Sequence, residues 1–366
     1  MINRSAEYRI KTNKILVIAL IWMIIGAIIT FYDNFAFHSL ISAGTSSLYG
    51  FFKSFFINTT GGLMGGLIVG SFLVFYVNEK FRDKPYWITI LLVSLSFIVI
   101  FTFISSVVVL ILSAIQAGNS LLDPITLKIF KQTIFDTIFF KDLLVWSIIV
   151  ALTQFFLQVN DKFGQGLLWS FIRGRYHTPR EENRIFMFVD LASSTTIAEK
   201  LSIRKYHDLL HNFYADITNA IIYNKGEIYQ YVGDEIIISW KIETGIIENQ
   251  CLKCYFDMRK TIAGFKEKYE SRYELVPDFK AGLHYGKVIA GEIGIIKRDV
   301  TFSGDVMNTT SRIQSMCNEY NVKILSSNEL LQLLPYDSHY RRIPIGDIKL
   351  KGKEKKVGLS TVEMSV

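Results

Sequence analysis

Long apolar runs give way to short, turn-punctuated ones near the middle of this chain. Four apolar stretches in the first half approach or exceed the roughly twenty residues that a bilayer-spanning helix needs. They are Ile15 to about Tyr32, Gly61 to Asn78, Tyr86 to Ala114 and Leu143 to Val159. From Arg184 onward the apolar runs shorten to strand length and alternate with amphipathic helical stretches. The pattern predicts a four-helix transmembrane bundle over 1–159, a connector over 160–183 and an α+β domain over 184–366.

Within the second half, Ile185 to Val189 is a buried strand that ends in Asp190 and opens into the run Ser193-Ser194-Thr195-Thr196. Thr196 to Tyr223 is helical, with Leu201, Leu209, Leu210, Phe213, Ile217 and Ile221 forming most of its apolar stripe. Two apolar runs flank Gly233-Asp234-Glu235, which predicts a hairpin presenting Asp234 at its turn. A helix from about Glu248 to Ser271 follows, then a strand over Phe279–Tyr285 and a glycine-punctuated turn and strand over Gly286–Gly294. Asp299 to Asp305 leads into a helix from Val306 to about Cys317, and the last region contains Lys351-Gly-Lys353. The order β-α-β-β-α-β, with added strands, is ferredoxin-like.

Composition sharpens this division. Half of the residues are hydrophobic and the net charge is only +7, with basic residues clustered beside the apolar spans. Topology and lipid headgroups explain that clustering better than nucleic acid does. Arg4, Arg9, Lys11 and Lys14 precede the first span, Lys80, Arg82 and Lys84 follow the second, and Arg173, Arg175, Arg180 and Arg184 follow the fourth. The positive-inside rule therefore places the N-terminus and the second domain in the cytoplasm, at a multi-pass inner membrane. No signal-peptidase-like site follows the first span. The spans carry no run of ionisable residues, so the first half reads as an anchor or sensor and not a transporter.

Gly61-Gly-Leu-Met-Gly-Gly-Leu-Ile-Val-Gly70 puts small residues at helical spacing, which suits either packing within the bundle or a dimer contact. The apolar Leu167–Ile172 in the connector suits a short amphipathic helix that couples the two halves. Cys251, Cys254 and Cys317 form an odd, sparse set that suits a reducing compartment. His207 and His211 lie four apart without further ligands, and are expected to form a polar helix face.

Chemistry concentrates at two carboxylates. The Ser/Thr run after Asp190 offers N-cap oxygens and backbone N–H groups that favour a phosphate at the helix start. Asp190 and Asp234, on adjacent strand ends, form a plausible clamp for two divalent cations in phosphoryl chemistry.

Five ordered motifs carry a family resemblance: Phe-Val-Asp190-Leu with its Ser/Thr run, Val-Gly-Asp234-Glu, Gly282-Leu-His-Tyr-Gly, Gly304-Asp-Val-Met-Asn308-Thr-Thr-Ser-Arg312, and Lys351-Gly-Lys353. Together they resemble the catalytic domain of class III nucleotidyl cyclases, membrane-anchored bacterial type. The resemblance implies that Asp190, Asp234 and the Leu191 carbonyl hold two divalent cations, Mg²⁺ or Mn²⁺. Asn308 would orient the ribose, Arg312 would stabilise charge at the α-phosphate, and Lys351 would meet the terminal phosphates, with Lys353 as its alternative. Substrate would be a nucleoside triphosphate, and the site would be shared across a homodimer, with the carboxylates from one chain and Asn308 and Arg312 from the other.

At the two positions that choose the base in this family, the chain has Gln230 and Thr301. The guanine-type Glu and Cys are both absent, which favours ATP. Gln230 can donate or accept, so GTP is expected to be used as well. Besides a guanylate or dual-specificity cyclase, the rivals are a diguanylate cyclase, whose hairpin the sequence Val-Gly-Asp-Glu-Ile matches only in part, a silent nucleotide-binding relay, and a membrane receptor or scaffold, which leaves the paired carboxylates unexplained.

Overall fold

The computed structural model describes residues 4–40, 48–81, 84–163, 173–296 and 298–365. The chain divides into two compact units, Tyr8–Phe163 and Gly164–Val366, with Met1–Glu7 grouped with the latter. Arg82 and the proposed amphipathic segment Leu167–Ile172 lie outside the described residues.

Among the described residues the elements of the first unit are all helices, chiefly α1 (Arg4–Leu40), α2 (Leu48–Phe72), α3 (Tyr86–Ala117), α4 (Pro124–Ile134) and α5 (Thr137–Phe163). Tyr8–Ala36, Phe51–Lys80, Tyr86–Ala117 and Thr137–Lys162 are each long and apolar enough to cross a membrane. The helices extend beyond the apolar runs by several residues, because helix hydrogen bonding does not stop where the side chains turn polar. α4 occupies a stretch that hydropathy assigns to a loop; Asp123 caps it, accepting from the Ile125 N–H at 2.8 Å.

Gly62, Gly66 and Gly70 of α2 serve packing inside this unit, whereas Gly61 has no neighbour within 4 Å of an added Cβ. A Cβ added at Gly62 would collide with the Trp22 carbonyl, and one at Gly66 would lie 2.6 Å from the Ala19 Cα. The Gly62 and Gly66 face of α2 is therefore closed against α1 and is not open to a second copy. Trp22 also donates to Thr153 Oγ1 at 3.0 Å, tying α1 to α5.

In the second unit, β1 (Arg180–Leu191) leads through α6 (Ser194–Lys200) and α7 (Ile203–Tyr223) to β2 (Glu227–Val232) and β3 (Glu235–Lys241). Then come α8 (Gln250–Gly264), α9 (Lys266–Tyr273), β4 (Phe279–Ile293), β5 (Asp299–Ser303), α10 (Asp305–Glu319), β6 (Ile324–Ser327), α11 (Asn328–Leu333), β7 (Tyr340–Ile348) and β8 (Val357–Met364). The sheet order is β2-β3-β1-β4-β6-β8-β7, with β5 paired to β4. All its pairings are antiparallel except β4 with β6.

β1 is the central strand of the ferredoxin-like core. Ile185, Met187, Val189 and Leu191 enter one apolar layer with Leu209, Phe213 and Ile217 of α7, and with Tyr255 and Met258 of α8. Phe186 and Phe188 enter a second layer with Ile237, Val288 and Val306. Burial on both faces explains why this strand reads as an unbroken apolar run.

Three sequence expectations change here. The helix expected over Thr196–Tyr223 is broken at Leu201-Ser202, where Ser202 caps α7 by accepting from the Lys205 N–H at 3.3 Å. The helix expected from Glu248 to Ser271 is likewise divided into α8 and α9 at Phe265. The turn expected at Gly286 is absent, and β4 runs unbroken from Phe279 to Ile293. Its glycines make room for α10: Cβ atoms at Gly282 and Gly286 would meet the Gln314 backbone and the Val306 side chain.

Candidate active site

β1 delivers Asp190 opposite Glu235 of β3 and Lys280 of β4. The β2–β3 turn places Asp234 beside it, and the Leu191 N–H donates to the Asp234 carbonyl at 3.3 Å. Gly233, at φ +63°, supplies the left-handed residue of that turn. The Tyr214 hydroxyl on α7 donates to the Gly233 carbonyl at 3.1 Å and steadies the turn from behind.

These carboxylates disturb one another. Burial, the Asp234 charge and a hydrogen bond shared with Asp234 push Asp190 up to about 6. Gln314 Nε2 donates to Asp190 Oδ2 at 3.3 Å, and with the Lys280 charge it acts in the opposite direction. Burial and the charges of Asp190 and Asp234 raise Glu235 to about 7. Like charges held together without a full counter-charge favour protonation or a cation.

The donor chemistry fits a hard divalent cation. Asp190, Asp234 and the Leu191 carbonyl offer oxygen only, the set that Mg²⁺ and Mn²⁺ prefer. Among the described residues no group of three His, Cys, Asp or Glu side chains is arranged to hold a metal. A cation here would therefore draw further ligands from water or phosphate, which is how Mg²⁺ is commonly held.

The Ser/Thr run follows directly, with Ser193 and Thr195 exposed and Ser194 half-buried. The expected N-cap is not made. Ser193 adopts φ 58° and its side chain caps nothing, so the N–H groups at the start of the short α6 have no side-chain cap.

α10 carries the second group. Val306, Thr309, Thr310, Ile313, Gln314 and Cys317 are its buried face, whereas Asn308 is exposed and Arg312 half-buried. Asn308 and Arg312 lie one turn apart; Gln314 lies about 200° around the helix from Arg312 at the standard 100° per residue. The helix thus touches Asp190 with one face and offers Asn308 and Arg312 on the other.

Arg312 meets the Lys351-Gly-Lys353 turn, where a Cβ on Gly352 would sit 3.3 Å from its Nη2. Gly352 is also at φ +72°, a backbone conformation that calls for glycine. Lys353 is paired with Asp305, while Lys351 is exposed. That separates the two lysines, which the sequence leaves as alternatives.

Gln230 is exposed on β2, an edge strand, next to a register shift between Ile228 and Gln230. Thr301 lies on β5 and donates to the Gly291 carbonyl at 3.4 Å. Their neighbours touch: the Phe302 N–H donates to the Tyr229 hydroxyl at 3.4 Å, and the two rings lie 4.9 Å apart.

Sequence reading missed Gln314, Glu235 and Arg184. Helix phase from Arg312 could have turned Gln314 toward the sheet. Arg184, assigned to the basic cluster that sets topology, is instead buried in β1 with 1% of its surface exposed. Cys251, Cys254 and Cys317 are buried free thiols.

A family model described as the adenylate and guanylate cyclase catalytic domain matches residues 177–361. Adenylate cyclase 2 of Rhizobium meliloti (strain 1021) is 32% identical over 205 residues, covering 56% of this chain and 56% of that protein. Adenylate cyclase 1 of the same organism is 26% identical over 173 residues, covering 46% of this chain and 25% of that protein. The chain thus spans about half or less of the length of these curated relatives. A solved bacterial light-regulated adenylyl cyclase matches with a TM-score of 0.51 at 21% identity, covering 59% of this chain and 64% of that one. That likeness is one of fold.

Proposed function

The chain belongs to the adenylate and guanylate cyclase catalytic domain family, and we propose that it converts ATP to 3′,5′-cyclic AMP and pyrophosphate at a membrane. Supporting this most directly is the pairing of Asp190, at the end of β1, with Asp234 of the β2–β3 turn, where burial and then the Asp234 charge lift Asp190 to about 6. The membrane setting rests on the four apolar helices of the first unit. The positive-inside pattern puts the second domain on the cytoplasmic side.

In the reaction the ribose 3′-oxygen forms a bond to the α-phosphorus. The bond from that phosphorus to the bridging oxygen breaks, pyrophosphate leaves with the bonding electrons, and the 3′-hydroxyl proton passes to solvent. Two divalent cations, when bound, would acidify that hydroxyl and offset charge on the triphosphate. Asp190, Asp234 and the Leu191 carbonyl would hold them. Asn308 would orient the ribose, and Arg312 would stabilise the charge gathering on the α-phosphoryl oxygens. Lys351 and the Ser193, Ser194 and Thr195 run would meet the phosphates, and Gln230 and Thr301 the base.

α10 turns Gln314 toward Asp190 and Asn308 with Arg312 away from it. This favours a homodimer in which each site takes its carboxylates from one copy and its Asn308 and Arg312 from the other. ATP is the preferred substrate because neither base position holds a guanine-type residue. The amide of Gln230 adapts to either purine, so GTP is also turned over.

The test is incubation of the full chain in lipid with ATP or GTP and Mn²⁺ or Mg²⁺, with products identified by mass spectrometry and Asp234→Ala as control. A cyclic 3′,5′-mononucleotide from the wild type alone supports the reading. A cyclic dinucleotide from GTP would replace it with a diguanylate cyclase. Nucleotide binding without product would replace it with a relay. A GTP rate below about one-thousandth of the ATP rate would refute the account of Gln230.

A further inference from the structure

Arg184 joins four parts of the second unit from a single buried position. Its Nε donates to Glu182 Oε2 at 2.8 Å, and its Nη1 to Glu227 Oε2 at 2.6 Å and Ser239 Oγ at 3.1 Å. Its Nη2 donates to the Tyr176 hydroxyl at 3.4 Å. The guanidinium also lies over the Phe302 ring, 4.5 Å from its centre. Gly286, opposite Arg184 on β4, leaves that side of the strand without a side chain.

These contacts reach both strands that carry the base positions. Glu227 opens β2, three residues before Gln230, and Phe302 follows Thr301 on β5. β2 and β5 are not neighbours in the sheet. Arg184 therefore bridges them through one ion pair and one cation–π contact, beside the direct Tyr229–Phe302 contact. A flexible lysine could supply the charge but not the planar fork or the stacking face.

The network is an expensive way to fill a core. A buried guanidinium is costly, and apolar side chains of similar volume often stabilise as well or better. What the fork adds is geometry, since each N–H direction constrains a different element. Selecting between purines requires donors and acceptors held in fixed places, because discrimination comes from groups that the wrong base leaves unpaired. We propose that Arg184 is a positioning residue for the nucleotide base, setting the Gln230 strand against the Thr301 strand. This inference rests on the cyclase reading.

The network also extends toward the connector. The Tyr176 hydroxyl donates to Glu182 Oε1 at 3.4 Å, and Arg175 Nη2 donates to the same oxygen at 3.2 Å. The Tyr176 carbonyl accepts from the Glu292 N–H on β4 at 3.1 Å. A displacement of residues 175–176 would reach the base strands through Glu182 and Arg184.

The experiment compares wild type, Arg184→Lys and Glu227→Gln, each as the full chain in lipid. Turnover is measured with ATP and with GTP, and equilibrium binding with fluorescent analogues of both. Glu227 is half-exposed, so its variant tests the bridge with little risk to folding. Arg184→Lys should raise KM for ATP about tenfold and move the ATP-to-GTP ratio of kcat/KM at least about fivefold, with kcat within about twofold. Glu227→Gln should move the ratio in the same direction by less. Equal loss of kcat for both nucleotides, with KM and the ratio unchanged, would mean that Arg184 only holds the fold, and would overturn the proposal. A wild type that binds nucleotide without cyclising it would refute the cyclase reading; the binding ratio would still decide the role of Arg184. A wild type that binds neither nucleotide would end both.

Discussion

Gln314 and Asp190 meet across 124 positions of sequence, with Gln314 Nε2 donating to Asp190 Oδ2 at 3.3 Å. The contact exists because Gly282, which lies beneath Gln314 on β4, has no Cβ to hold the helix away. It links the helix bearing Asn308 and Arg312 to the carboxylate strand end.

Replacing Gln314 with Leu keeps the volume and removes the donor. The Asp190 carboxylate then loses a hydrogen bond of about 1 kcal/mol, and divalent-cation binding is expected to weaken roughly fivefold. Titration calorimetry with Mn²⁺ measures this directly. Unchanged affinity would show that the contact only packs the helix.

Cation binding at this site should release protons. Asp190 and Glu235 are raised to about 6 and about 7 in the cation-free protein, so near neutrality both hold a partial complement of protons that a cation displaces. Affinity should therefore rise with pH between about 6 and 8. The apparent binding enthalpy should vary with the ionisation enthalpy of the buffer. An enthalpy independent of buffer would contradict the arrangement described.

His284 is buried, shares a 2.8 Å hydrogen bond with Ser327, and is lowered from 6.5 to about 4, first by burial and then by the Lys353 charge. Unfolded, it takes up a proton near its ordinary value, whereas folded it stays neutral until about 4. Lowering the pH through that window favours the unfolded state by up to about 1.4 kcal/mol per unit. Asp190 and Glu235 act in the opposite sense, since their raised values make the cation-free fold lose stability as pH rises toward 7. The difference between wild type and His284→Gln isolates the histidine. That difference should shrink as pH falls from 7 to 5, as read by denaturant unfolding.

Sites shared across the proposed homodimer would predict complementation. Asp190→Asn and Arg312→Ala should each lower cyclase activity at least about a hundredfold. Co-assembled in equal amounts, they should recover about a quarter of wild-type activity, because half the dimers contain one intact site of two. Recovery no greater than the sum of the separate variants would argue that each chain builds its own site.

Local pattern alone placed the parts whose cause is local. Ile185–Val189 is apolar because both faces of β1 are covered, and a polar residue at the tip of such a run must lie at the strand end, which located Asp190. Gly233-Asp234 between two apolar runs marked the hairpin, and long hydropathy marked the four spans. Tertiary structure decided everything that depends on which surfaces meet. Gly286 reads as a turn until α10 is seen to need the space of its missing side chain. Gly62 and Gly66 suit a partner chain or a neighbour equally until α1 is packed on them. Arg184 reads as one more surface charge until Glu182, Glu227 and Phe302 close around it. A residue type carries its chemistry with it, but its burial and its partners come from segments far away in the chain.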